Sequence, residues 1–108
     1  MADKIEILNQ LKKNLKATLG SKIQKVILFG SYLRNEETAY SDLDVLIVTN
    51  NIPTWKEKNT IRDICFDISV DYEIMVDSKI ISQKEIDNKF WGKHPMITDA
   101  LNKGVYAF

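Results

Sequence analysis

The spacing of hydrophobic residues changes period several times along the chain, and each change predicts an element. From Lys4 to Leu19, Ile5, Leu8, Leu11, Leu15 and Leu19 recur at helical intervals with Lys12, Lys13 and Lys16 off that face. This predicts an amphipathic helix stopped by Gly20. Lys25 to Phe29, ended by Gly30, and Leu43 to Val48 are short continuous apolar runs, which predict neighbouring strands buried on both faces. After Asn50-Asn51 and Pro53, Thr54 and Glu57 have capping-box spacing, and Ile61, Ile64, Cys65 and Ile68 follow at helical intervals. Tyr72 to Val76 alternates as a third strand, which would place Met75 in the core. Ser82 with Glu85 repeats the capping box before a short helix toward Phe90. Pro95 suits the first turn of one more helix, ended by Gly104 before a last strand, Val105 to Phe108. With a helical turn after Gly30, the order is α-β-(short α)-β-α-β-α-α-β. It predicts one domain over residues 1–108, of α/β (α+β) class, with a small mixed sheet flanked by helices.

Fifteen Lys and Arg balance fifteen Asp and Glu, so the clustered excess of base expected of a nucleic-acid binder is missing, and any polyanion handled should be small. The single cysteine, Cys65, has no intramolecular partner for a disulfide, and Met1-Ala2-Asp3-Lys4 lacks the basic-then-apolar pattern of a secretory leader. No apolar run approaches the length of a membrane span. A soluble protein of the reducing cytoplasm is expected.

The chemistry concentrates between the two most hydrophobic strands, from Gly30-Ser31-Tyr32-Leu33-Arg34 to Ser41-Asp42-Leu43-Asp44. Gly30 ends a strand where the backbone must turn, and its missing side chain lets a phosphate approach the main chain. Ser31 would open a helical turn and offer its N–H and hydroxyl to an anion. Arg34 lies one turn on, either to hold a phosphate or to support a loop containing Glu36 and Glu37. Ser41 either contributes to the site or braces the strand entry. Asp42 and Asp44 project from one face of the strand while Leu43 faces the other. Two such carboxylates repel unless a cation lies between them, and magnesium takes carboxylate, phosphate and water oxygens. Two-metal phosphoryl chemistry needs a third acid, for which Asp71 and Glu73, also two apart, are candidates. Gly-Ser, ten residues, then Asp-x-Asp arises by chance in roughly one chain in a thousand of this length.

Gly30-Ser31, the ten-residue gap, Asp42-x-Asp44, the intervening Arg34 and Ser41, and a later strand carboxylate together resemble the DNA polymerase beta-like nucleotidyltransferase superfamily. The chain is most similar to the minimal nucleotidyltransferases paired with HEPN proteins in toxin–antitoxin operons. The resemblance implies that Asp42, Asp44 and a third acid bind magnesium, with two ions in the active complex. It also implies that Gly30 and Ser31, with Arg34 and Ser41, bind the triphosphate of an NTP such as ATP, and that NMP is transferred with release of pyrophosphate. In the matching strand pattern the third acid falls on Glu73, where relatives usually carry Asp, with Asp71 as the alternative. Asn35 stands where relatives commonly have Gly, and it too tolerates positive φ.

Template-reading, RNA-binding or antibiotic-modifying relatives generally carry additional domains, and none is expected beside this small core. The resemblance therefore points to a partner that supplies the acceptor: a helical HEPN toxin, adenylylated on a hydroxyl and thereby silenced. Stoichiometric neutralisation without turnover and small-molecule transfer are the competing readings. The first helix, Trp55 and Phe90-Trp91 are candidate contact surfaces. His94 reads as a loop residue, since a lone histidine makes no zinc site, and Cys65 reads as core.

Overall fold

The computed structural model describes residues 3–30, 42–88 and 93–107. Helix α1 spans Lys4–Leu19. Asp3 caps it by accepting the Glu6 N–H, and the Gly20 N–H closes it onto the Lys16 carbonyl. Its buried stripe is Ile7, Leu8, Leu11 and Leu15, with Ile5 and Leu19 at the margins of the core. Lys12, expected in solvent, instead donates to the Ala107 carbonyl at 3.1 Å and ties down the last segment.

A 3-10 turn, Gly20–Lys22, leads into β1, Ile23–Leu28, and β2 is Leu43–Thr49. The two pair antiparallel, Val26 opposite Ile47 and Leu28 opposite Val45. Helix α2 runs Trp55–Tyr72 with both hydrogen bonds of the Thr54–Glu57 capping box in place. It then crosses over to β3, Val76–Ser82, which lies parallel to β2. A parallel neighbour requires such a crossover. The Ser82–Glu85 box starts the short α3, Gln83–Asp87. Helix α4, Pro95–Lys103, begins with proline and ends at Gly104, and β4, Val105–Tyr106, returns antiparallel to β1. His94 is the N-cap of α4, its Nδ1 accepting the Met96 N–H at 3.2 Å.

The sheet order is β3-β2-β1-β4. Leu43, Val45 and Ile47 face one way, into a core with Leu8, Leu11 and Leu15 of α1 and Ile61, Cys65 and Ile68 of α2. Leu46 and Val48 face the other way, with Ile27, Ile81 and the α4 residues Ile97 and Ala100. Helices on both faces are why β1 and β2 read as unbroken apolar runs rather than alternating ones. Among the described residues, no helix is long and apolar enough to cross a membrane.

The third strand is displaced from its predicted position. Tyr72 ends α2, and Glu73 is its left-handed cap at φ 53, its N–H donating to the Ser69 carbonyl. The period-two alternation from Val70 to Ile74 competes with a helical row, Ile61, Cys65, Ile68 and Tyr72, that continues into the same core. Burial of that row wins. Asp71 thus lies in the last helical turn, Glu73 lies at the cap, and neither stands on a strand. Met75, expected in the core, is 66% exposed and contributes only its carbonyl, which accepts the Leu43 N–H at 2.8 Å.

Candidate active site

The site forms where β1 ends and β2 begins. Gly30, just beyond β1, has φ 74, a conformation that L side chains rarely adopt. A Cβ placed on Gly30 would collide with Asp44 Oδ2 and come within 2.8 Å of Asp44 Cγ. Glycine is therefore required twice over, for the backbone turn and to make room for a carboxylate. Phe29 fixes this approach, its N–H donating to the Asp44 carbonyl at 3.0 Å.

Asp44 is the second residue of β2 and is half-buried, while Asp42, one residue before the strand, is exposed. Leu43 between them is fully buried against α1 and α2. Asp44 therefore lies on the opposite face, the one that Leu46 and Val48 present to α4 farther along the strand. The strand entry is held from two sides. The Leu43 N–H donates to Met75, and Lys4, buried in the first turn of α1, donates from Nζ to the Asp42 carbonyl at 3.3 Å. Lys4 is a supporting residue that sequence reasoning missed. Its signal is faint, a lysine at the start of a helix whose role emerges only when α1 packs beside β2.

A second residue outside the sequence expectation is Asp77. The parallel register sets it opposite Asp44 on the neighbouring strand, so the two side chains share a sheet face. Its Oδ1 lies 3.5 Å from Lys79 Nζ, both groups being about half-exposed. Glu73 instead lines a groove between α2 and the outer edge of β3 with Phe66, Val70 and Met75. Ser31, Arg34 and Ser41, together with Asn35, lie outside the described residues.

Magnesium binds through one or two carboxylates plus phosphate oxygens and water, rather than through a closed protein cage. Asp42 and Asp44 fit that demand, being two residues apart at the entry of β2, Asp44 half-buried and Asp42 open to solvent. Among the described residues, no three of His, Cys, Asp and Glu are gathered closely enough to hold an ion unaided. Cys65 takes no part, because burial pushes its thiol up from the ordinary range, an effect that a hydrogen bond with Ser78 partly offsets.

Comparison with known proteins agrees with this geometry. Residues 6–97 match the model of the nucleotidyltransferase domain. A protein of Methanocaldococcus jannaschii named "putative protein adenylyltransferase MJ0141" is 43% identical over 101 residues, covering 94% of this chain and 95% of its own length. The fold is shared with the crystal structure of a "putative nucleotidyltransferase" from Sulfolobus solfataricus, with a TM-score of 0.57 at 19% identity over 78% of this chain and 71% of that one. It is also shared with a chain of a mutant toxin–antitoxin pair, MntA-HpeT, with a TM-score of 0.55 at 11% identity over 93% of this chain and 72% of that one. The Gly30–Asp44 contact between the end of β1 and the start of β2, the mixed sheet and these matches agree: the chain belongs to the nucleotidyltransferase domain family, as a minimal member with the polymerase beta-like fold.

Proposed function

We propose that the chain transfers AMP from ATP to a hydroxyl of a helical, HEPN-type partner protein and thereby neutralises it. The observation that carries this reading is the contact between Gly30 and Asp44. A residue at positive φ, pressed against a carboxylate beside an open Asp42, makes a place for a phosphate chain next to two hard oxygen donors. The M. jannaschii relative, named for protein adenylyl transfer, supports the choice of nucleotide and of a protein acceptor. The toxin–antitoxin chain of the same fold supports the kind of partner.

In the proposed reaction the acceptor oxygen attacks the α-phosphorus. A new P–O bond forms as the bond to pyrophosphate breaks, and the hydroxyl proton passes to a carboxylate. Asp42 and Asp44 would hold magnesium, which when bound supplies neutralising charge at the phosphates. Gly30 admits the triphosphate, Ser31, Arg34 and Ser41 complete its binding, and Lys4 steadies the Asp42 backbone. Asp77, opposite Asp44, takes the place of Glu73 and Asp71 as the acid on the third strand and receives the proton.

The test incubates the chain with labelled ATP, magnesium and its co-encoded helical protein, and reads the partner's intact mass. An added AMP is expected with wild type and with Glu73→Gln. It should be lost with Asp42→Ala/Asp44→Ala and reduced at least about a hundredfold with Asp77→Asn. A partner left unmodified at saturating nucleotide overturns the reading. The same test decides the competing reading, neutralisation by binding without turnover. In that case Asp42→Ala/Asp44→Ala would neutralise the partner as well as wild type does.

A further inference from the structure

Among the described residues β3 is the outermost strand of the sheet, and its outer side is bordered by exposed apolar side chains. The Leu43 N–H donates to the Met75 carbonyl, and Leu43 lies opposite Val76. In a parallel ladder this phase turns Met75, Asp77, Lys79 and Ile81 toward β2 for hydrogen bonding, and turns the N–H and C=O groups of Val76, Ser78 and Ile80 outward. The Val76 N–H is taken up by Ser69 Oγ at 3.3 Å, and the Ser82 N–H by Glu85 at 2.8 Å. Among the described residues nothing pairs with the outward N–H groups of Ser78 and Ile80 or with the outward carbonyls. Beside them Phe66, Val70 and Met75 are 67%, 60% and 66% exposed and line one groove with Val76 and Ser78. A long edge bordered by apolar groups is a template for another strand.

We infer that the occupant of this edge is a second copy of the chain, added antiparallel about a two-fold axis through Ser78. The charges choose the register. Hydrogen bonding requires the outward residues Val76, Ser78 and Ile80 to oppose outward residues of the partner, which leaves a few registers two residues apart. An axis through Asp77 sets Asp77 against itself, and one through Lys79 sets Lys79 against itself. An axis through Ile80 leaves Asp77 without a charged counterpart. An axis through Ser78 sets Asp77 opposite the partner's Lys79, and Lys79 opposite the partner's Asp77. The same axis pairs Val76 with the partner's Ile80 on the α2 face and Met75 with the partner's Ile81 on the other.

Four backbone hydrogen bonds close the ladder: two between the Ser78 residues, and one from each Ile80 N–H to the opposing Val76 carbonyl. Phe66 and Val70 flank the axis and meet their counterparts. Within one chain Lys79 already lies 3.5 Å from Asp77, so the partner's ammonium extends a pairing that Asp77 makes within its own chain. The eight-stranded sheet that results removes the open edge.

Sedimentation of the full chain without nucleotide or partner protein tests this independently of any transfer activity. Wild type should sediment as a dimer at high micromolar concentration. Lys79→Glu and Asp77→Lys each set like charges opposite one another twice, and should weaken the dimer at least about tenfold. Mixing the two variants restores both ion pairs in a heterodimer, which should form with affinity near wild type, an outcome that misfolding cannot produce. Three results overturn the proposal: a monomeric wild type, single variants that dimerise undiminished, or a mixture that does not associate. A wild type whose edge is engaged only by a different protein counts with the first.

Discussion

Gly30→Ala tests the geometry of the site most directly. Two costs add. At φ 74 an alanine occupies the left-handed region, for about 1–2 kcal/mol. Its Cβ would also strike Asp44 Oδ2 and lie 2.8 Å from Cγ and 2.9 Å from Cβ, so the carboxylate must turn aside. Overpacking of this kind costs about 1–3 kcal/mol. Together these amount to about 2–5 kcal/mol, and in a chain of this size they should lower the melting temperature by roughly 10 °C or more.

The same displacement should hurt function more than stability, since moving a reacting group by about 1 Å can cost roughly a hundredfold in rate. Thermal unfolding by circular dichroism, together with titration of magnesium-ATP, reads both effects. The collision part is isolated by the double variant Gly30→Ala/Asp44→Ala, which removes the carboxylate that the added methyl group strikes and should be more stable than the sum of the singles by about 1 kcal/mol. If Gly30→Ala melts within about 2 °C of wild type and binds nucleotide equally well, the contact does not shape the site.

Two further expectations concern residues away from Gly30. Glu73→Gly relieves a non-glycine residue at φ 53 and should raise stability in urea by about 0.5–1 kcal/mol while leaving nucleotidyl transfer intact, whereas loss of transfer would restore Glu73 to the site. Lys22, 2.7 Å away, and then the Thr54 N–H hold the Glu57 carboxyl below its ordinary value near 4.5. A carboxyl lowered in the folded state adds stability above its unfolded pKa and loses it as pH falls through the lower folded value. Glu57→Gln should therefore unfold at lower urea than wild type at pH 7, with the gap closing as pH falls below the ordinary carboxyl value and through the lower folded one; a gap undiminished by acid would refute a charge effect.

Much of this architecture was legible because local and tertiary signals agreed. The capping boxes at Thr54 and Ser82 form as spaced, Pro95 and Gly104 bound α4, and the apolar runs become the two central strands. Leu43 turns into the core beside α1 and α2 as the alternation of Asp42-Leu43-Asp44 requires, which leaves Asp44 on the other face of β2. What was not legible depends on packing. Lys4 reads as the start of a helix, and only the docking of α1 brings its ammonium to the Asp42 carbonyl. His94 reads as a loop residue until its Nδ1 accepts from Met96.

The third acid shows why a motif alone does not fix a site built across strands. Asp71 and Glu73 have the right residue types at the right spacing, but α2 carries them because Tyr72 still reaches the core along its helical row. A signal for the alternative was present. The Ser82–Glu85 box marks the start of α3, so a strand of ordinary length must end just before it. Counting back from Ser82 reaches Val76, with Asp77 and Lys79 alternating on one face. Which of these faces Asp44 is decided by the phase of one hydrogen bond, Leu43 to Met75, since a one-residue slip would send Asp77 to the α2 side. The same bond turns Ser78 outward. The chemistry assigned to Asp77 and the interface assigned to the β3 edge therefore share one register.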